Sequence, residues 1–263
     1  MHLLYCDETN LQERSGDFFV YAGVIIEAAR ARDLSHRIDT IRAGANVPPE
    51  YRLKFNPGPA ELDHQHFIEL KKSIIAAAID ANVRLLVSAI LHNVATSPDQ
   101  ARRNEINRLC FHFDCFLNRT GDPGLVLIDR FNDAQIDAHL AEKFSVGLTG
   151  MPHSPRLRLS NIVGFHYSAV GQSHFCSLID VVIGSLRFAI NAFTRGGSQH
   201  MESAKLILTG LEPLFYRERD GAPVSELSFF FSPRSVWAPP FRRKYTDLKA
   251  FLAESGIDTA QLI

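Results

Sequence analysis

Cysteine is scarce in this sequence, and the four that occur are placed so as to exclude the commonest cysteine chemistries. Cys6, Cys110, Cys115 and Cys176 form no CxxC pair, which argues against a zinc ribbon and a dithiol redox centre. Buried, reduced thiols are the expectation. A surplus of one charge is also missing: 28 Lys and Arg face 29 Asp and Glu, a formal net charge of -1. That balance gives no global pull toward nucleic acid or an anionic membrane, so any nucleic-acid site has to be a local patch. Nowhere do about eighteen apolar residues run consecutively, and the opening Leu3-Leu4-Tyr5-Cys6 carries no basic, signal-like segment. The expectation is a cytoplasmic protein with no membrane partner. Internal repeats and low-complexity tracts are absent as well.

What is present is the material for one large core. With 263 residues, of which 46% are apolar, a single domain with insertions suffices. Leu3 to Cys6 and Phe18 to Ile26 read as a β-hairpin around a polar connection. Ala28 to Arg42 reads as a helix, and Asn46 to Pro59 as a proline-rich loop holding the short segment Arg52-Leu53-Lys54-Phe55. Phe67, Leu70, Ile74, Ile75 and Ile79 predict a helix from Asp63, its N-cap, to Asn82. A strand over Val83 to Val94, a helix from Pro98 to Asn118 and an apolar strand over Leu125 to Ile128 follow. Beyond them come a helix from Asp133 to Phe144 and a strand over Leu157 to Tyr167. The strongest helical stripe is Phe175, Leu178, Ile179, Val182, Leu186, Ile190 and Phe193. After Arg195-Gly196-Gly197, a helix over Ala204 to Tyr216, an aromatic strand over Leu227 to Phe231 and a basic helix after Pro240 complete the chain. This order predicts an α/β fold with a mixed sheet flanked by helices, a core over residues 1–195 and a C-terminal elaboration over 196–263 packed on the same domain.

Three segments that should be buried each meet an aspartate: Asp7 after Leu3 to Cys6, Asp129 after Leu125 to Ile128, and Asp180 within Leu178 to Val182. An uncompensated buried carboxylate costs several kcal/mol, a large share of a net stability of roughly 5 to 15 kcal/mol. Asp7 and Asp129 have an ordinary alternative as turn formers or helix caps. For Asp180 the alternative is a salt bridge, for instance to Arg187. Its helical neighbours Cys176, Gly184 and Arg187 form a less apolar side than the main stripe, and Gly184 admits close approach by backbone or ligand. Two carboxylates from strand ends and one from a late helix are the parts of an RNase H-like two-metal site. Hard oxygen ligands of this kind suit Mg²⁺ or Mn²⁺ and phosphodiester hydrolysis.

Tyr5-Cys6-Asp7-Glu8-Thr9-Asn10 followed by Phe18 to Ile26 resembles the opening of the DUF3800 family, whose motif is Asp-Glu-Ser-Gly. Arg52-Leu53-Lys54-Phe55 is similar to that family's Glu-Leu-Lys segment, and Ser177 to Val182 to its Gln-Leu-Ala-Asp-Leu helix; Leu127-Ile128-Asp129 also matches. The anchors span residues 3 to about 190. Departures are Thr9-Asn10 for Ser-Gly, Arg52 for Glu, and Ser177 and Ile179 for Gln and Ala. The resemblance implies an RNase H-like fold and a metal-dependent nuclease acting on nucleic acid. Asp7, Asp129 and Asp180 would be metal ligands, Glu8 an auxiliary ligand or base, and Lys54 a partner for phosphate or carboxylate. The rival reading is a non-catalytic module on the same scaffold that binds nucleic acid or protein.

Other residues invite weaker readings. Glu8 points away from Asp7 if the strand stays extended. Glu69 reads first as a solvated helix position beside Lys71 and Lys72, and His64, His66 and His112 read as surface histidines. His174 is placed for proton transfer near Asp180. Phe229 to Trp237 with Arg242, Arg243 and Lys244 mixes aromatics and cations as single-strand binding surfaces do, but reads more simply as an edge strand and a solvated basic helix.

Overall fold

The computed structural model describes residues 1–131, 133, 135–151 and 154–263. A six-stranded mixed sheet lies between two layers of helices, its strands ordered β7-β4-β1-β2-β3-β8. These strands are β1 (His2–Thr9), β2 (Phe18–Glu27), β3 (Arg84–Leu91), β4 (Gly124–Asp129), β7 (Ile162–Ser168) and β8 (Phe229–Ser232). β1, β2 and β3 form an antiparallel meander, while β4, β7 and β8 join it by parallel pairing. Only β2 therefore runs against the rest of the sheet.

β2 is the centre of the molecule because both of its faces are apolar. Phe18, Val20, Ala22, Val24 and Ile26 enter one core, and Phe19, Tyr21 and Ile25 enter the other. The first core is closed by α1 (Ala28–Gly44), α2 (His64–Asp80), α5 (His174–Thr194), α6 (Met201–Leu211) and α7 (Pro239–Ala253). The second is closed by α3 (Pro98–Thr120) and α4 (Ile136–Ser145). α5 crosses over β1 and β2 with its whole expected stripe turned inward. It is long and apolar enough to cross a membrane by length and composition, but 78% of that window is buried inside the fold. Its hydropathy is that of a core helix.

Several elements depart from expectation. The predicted strand over Leu157 to Tyr167 is two elements: β6 (Ser154–Leu157), paired with β5 (Leu148–Met151) in a separate hairpin, and β7 in the main sheet. The break comes where Asp114 accepts the Asn161 N–H and Asn161 O accepts the Gly124 N–H, which starts β7 level with β4. The helix expected to run to Tyr216 stops at Leu211, and Phe215 instead bridges to Leu85. Asp133, the expected helix start, precedes α4, which begins at Ile136. Residues 196–263 share the sheet and first core: β8 pairs with β3, and α6 and α7 pack on α5. Phe229 and Phe231 are buried in that core and Phe230 lies against His112, so this aromatic run is an edge strand of the sheet.

Candidate functional site

Strand periodicity decides which acids meet. Along β1, Leu4 and Cys6 enter the second core, and Tyr5 enters the first. By the same alternation Asp7 turns toward α5 and Glu8 toward α3. β1 and β4 pair in parallel with Cys6 opposite Ile128, so the next residues, Asp7 and Asp129, stand side by side at the adjoining ends of these strands. Asp7 lies inside β1 and Asp129 ends β4, and neither caps a helix.

Asp180 comes from α5, above these strand ends. It forms no ion pair with Arg187 among the described residues; its Oδ2 accepts the Phe55 N–H at 2.5 Å. That bond fastens the Arg52–Phe55 loop to α5, and Gly184 makes room for it. A Cβ on Gly184 would stand 2.4 Å from Phe55 Cβ and Cγ, so the close approach anticipated at this glycine is made by the Phe55 side chain. Leu53 is buried and Lys54 exposed, which leaves the Lys54 ammonium at the open side of the acids.

The electrostatics tie these residues together. Burial pushes the Asp7 carboxyl well above the usual carboxylate range, and the charges of Asp129, Glu8 and Asp180 push it further. The Glu8 N–H, donated to Asp7 Oδ1 at 2.7 Å, opposes that shift. Asp129 is also raised, chiefly by burial and to a smaller extent by Asp180, while the Arg130 N–H and the Lys54 charge pull it down. Asp7, deeper and without a cation, is therefore the acid that takes up a proton first. Cys176, one turn before Asp180, has its thiol raised by burial and by Asp129 and Asp7, with Ser168 hydrogen-bonded to it.

Glu8 sits in a different environment. Arg102 of α3 approaches its Oε1 at 2.8 Å, with Phe131 4.1 Å beneath the guanidinium. Burial still raises Glu8, against the pull of Arg102. The ion pair leaves Glu8 on the opposite face from Asp7, with Asp129 near enough to act on it.

The remaining candidates are engaged elsewhere. Glu69 is exposed and paired with Lys72 at 2.9 Å. His66 closes the Asp63 cap at 2.7 Å, and His64 is exposed. His112 is not a surface histidine: it is packed against Phe230, and burial lowers its pKa to about 3. His174 pairs with Asp39 of α1 at 2.7 Å. The spacing of Glu105, Leu109, His112 and Phe116 on one face of α3 was the available signal for His112. Arg102 and Ser168 gave none, because only the tertiary fold brings them to residues 8 and 129.

The fit of a divalent cation rests on this donor set. All three aspartates offer hard oxygen, and Asp7 Oδ2 and Asp180 Oδ1 accept no hydrogen bond among the described residues. Among those residues, however, no group of three or more His, Cys, Asp or Glu side chains converges closely enough to be a ready-made ligand set. The donor chemistry fits, while the three aspartates are not drawn together as a finished ligand set. Comparison with known proteins adds no relative: no family model, curated protein or solved structure matches this chain.

Proposed function

We propose that this chain is a metal-dependent phosphodiesterase of the RNase H-like kind, a member of the DUF3800 family, acting on nucleic acid. The observation that carries the reading is the pairing of Asp7 with Asp129 at adjoining strand ends, beneath Asp180 of α5 and beside Lys54. The antiparallel meander continued by parallel strands supports the same reading. Mg²⁺ or Mn²⁺ would be held by Asp7, Asp129 and Asp180, and such an ion supplies an activated water and charge stabilisation at the phosphorus.

The chain's own residues set the rest. Lys54 is the exposed cation on the side where substrate arrives and is placed to neutralise a phosphate oxygen. The Phe55 N–H orients Asp180 and holds the Lys54 loop in position. Glu8, paired with Arg102, acts on Asp129 from the opposite face, so its role here is auxiliary. Four free cysteines suit a reducing compartment, and the cytoplasm is the location this reading assigns.

The rival, a non-catalytic binding module, draws on Trp237, which is 90% exposed, and on exposed Arg242, Arg243 and Lys244. Burial of Phe229, Phe230 and Phe231 takes away most of its aromatic surface. Calorimetric titration of Mn²⁺ into wild type, Asp129→Asn and Asp180→Ala, with a cation-dependent cleavage assay on labelled oligonucleotides, separates the two. Binding and cleavage that both variants lose are expected. Cleavage indifferent to chelator, or Mn²⁺ binding unchanged in both variants, would refute the proposal.

A further inference from the structure

α5 carries a second stripe beside its apolar one. Asp180, Gly184, Arg187, Asn191 and Arg195 follow at spacings of four, three, four and four residues and so lie on one side of the helix. The stripe runs from the aspartates into a groove of about 420 Å³, walled by Phe55 and Asn56 from the loop, Arg187, Phe188 and Asn191 from α5, and His200 beyond it. None of the three aspartates lines the groove. It begins next to them, because Phe55 is the residue bonded to Asp180, and Asn10, three residues beyond Asp7, also borders it.

The polar groups of the groove divide into spent and unspent. Asn10 and Asn191 bond to each other and to Phe18 O and Ser15 O, fixing the β1–β2 connection onto α5. The Arg195 guanidinium donates to Glu13 O and Arg14 O and faces Asp17. Arg187 differs: it has no carboxylate partner among the described residues, and its contact is the Phe55 ring at 5.7 Å. His200 meets the edge of Phe188, with ring centroids 5.7 Å apart. An unpaired guanidinium over one phenylalanine and a histidine against another form the combination that binds unpaired nucleic acid, cations taking the phosphates and rings the bases. The bases of a duplex are paired and stacked inside it, so only an unpaired strand can offer a phosphate and a base face to this lining together.

We infer that this groove is the single-strand track of the enzyme: Arg187 holds a phosphate, a base lies against Phe55 and Phe188, and the strand continues toward the aspartates. The inference rests on the nucleic-acid reading of the aspartate site. Seven residues of helix set Arg187 about 10.5 Å along the axis from Asp180, so the held phosphate lies within a few nucleotides of the acids. The specificity that follows is for single strands and unpaired ends.

Fluorescence anisotropy with fluorescein-labelled six-nucleotide oligo-dT and oligo-U, in chelator without divalent metal, tests it. Wild type should bind both single strands and bind a duplex of equal length at least tenfold more weakly. Arg187→Ala should weaken single-strand binding about tenfold and reduce the slope of log K against log salt by about one. Arg187→Lys should recover most of the loss, and Phe188→Leu should also weaken binding about tenfold. Asp129→Asn, which removes a negative charge, should bind at least as tightly as wild type. Equal binding by wild type and Arg187→Ala, equal binding of duplex and single strand, or no binding by wild type would overturn the inference. Arg187-dependent binding without any cation-dependent cleavage would leave the track standing and remove the phosphodiesterase reading. Cleavage that persists with binding indifferent to Arg187 would do the reverse.

Discussion

Gly184→Ala is expected to loosen the Lys54 loop, although in an ordinary helix the same change stabilises. An interior Gly costs about 1 kcal/mol relative to Ala, so helix propensity alone favours the variant by that amount. At Gly184 the new methyl would meet Phe55 Cβ and Cγ at 2.4 Å, the rigid root of a side chain whose own N–H is bonded to Asp180. Overpacking of this kind costs about 1–3 kcal/mol, and such a short contact belongs in the upper part of that range. The alternative is for the loop to leave, which gives up a hydrogen bond to a charged group worth about 1.5–3 kcal/mol. The two routes leave a net loss of about 0.5–2 kcal/mol, or about 1–8 °C in melting temperature for a domain of this size. Trypsin provides the local readout: cleavage after exposed Arg52 and Lys54 should accelerate in the variant. Gly210→Ala on α6, where an added Cβ meets nothing within 4 Å, serves as the control and should gain stability. A Gly184→Ala protein that melts above wild type with unchanged loop cleavage would refute the fastening of this loop to α5.

Two further changes test the electrostatics on either side of the sheet. The Asp7 carboxyl is raised in the folded state, so the native protein binds its proton more tightly than the unfolded chain, and apo stability falls as pH rises above the ordinary aspartate value. Asp7→Asn should therefore match wild type at and below the ordinary aspartate value and exceed it at higher pH in chelated thermal melts, the gain levelling off once the folded carboxyl has ionised; a deficit constant with pH would contradict this. On the other face, Glu105 accepts from Ser88 Oγ at 2.5 Å and Ser232 Oγ at 2.6 Å and pairs with Arg108 at 3.3 Å, joining α3 to β3 and β8. Glu105→Ala strands both buried hydroxyls and should cost roughly 3 kcal/mol in denaturant unfolding, and a loss under about 1 kcal/mol would show that the network is dispensable.

Much of the scaffold was legible because burial leaves periodic traces. The α5 stripe and the apolar runs of β1, β2 and β4 follow directly from which faces are covered. Asp7, Asp129 and Asp180 were legible for the complementary reason, a charge interrupting an apolar run. Alternation also separates Asp7 from Glu8, but it does not reveal which face lies under α5, and Arg102, which neutralises Glu8, is 94 positions away on another helix. The β6–β7 boundary is marked in sequence only by the turn-forming pair Ser160-Asn161 inside an otherwise β-like run, and pairing with β5 on one side and β4 on the other divides it. The groove was hidden in a different way. Arg187 and Asn191 are ordinary helix residues in sequence, and their meaning comes from the Phe55 loop and His200, which close the walls around them.

The two faces of β1 treat adjacent acids differently, and the contrast bears on why the acids are there. On the α3 side Glu8 receives a buried guanidinium at 2.8 Å, so the fold supplies a counter-charge for it. On the α5 side Asp129 has one exposed lysine, Asp7 has no cation, and the acids are otherwise met by backbone N–H groups; burial, and to a smaller extent their mutual repulsion, raises Asp7 and Asp129. As scaffold this is a poor choice: serine or asparagine accepts the Glu8 and Phe55 N–H groups without placing three charges in a half-buried site. Neither of the ordinary explanations accounts for them, since Asp7 and Asp129 cap no helix and Asp180 makes no ion pair among the described residues. Three carboxylates without a scaffold role of this kind are what the proposed cation site calls for. In the proposed reading a divalent cation carrying a phosphodiester would supply the missing positive charge at the acids, and Lys54 and Arg187 would meet the substrate's own negative charge on either side of it.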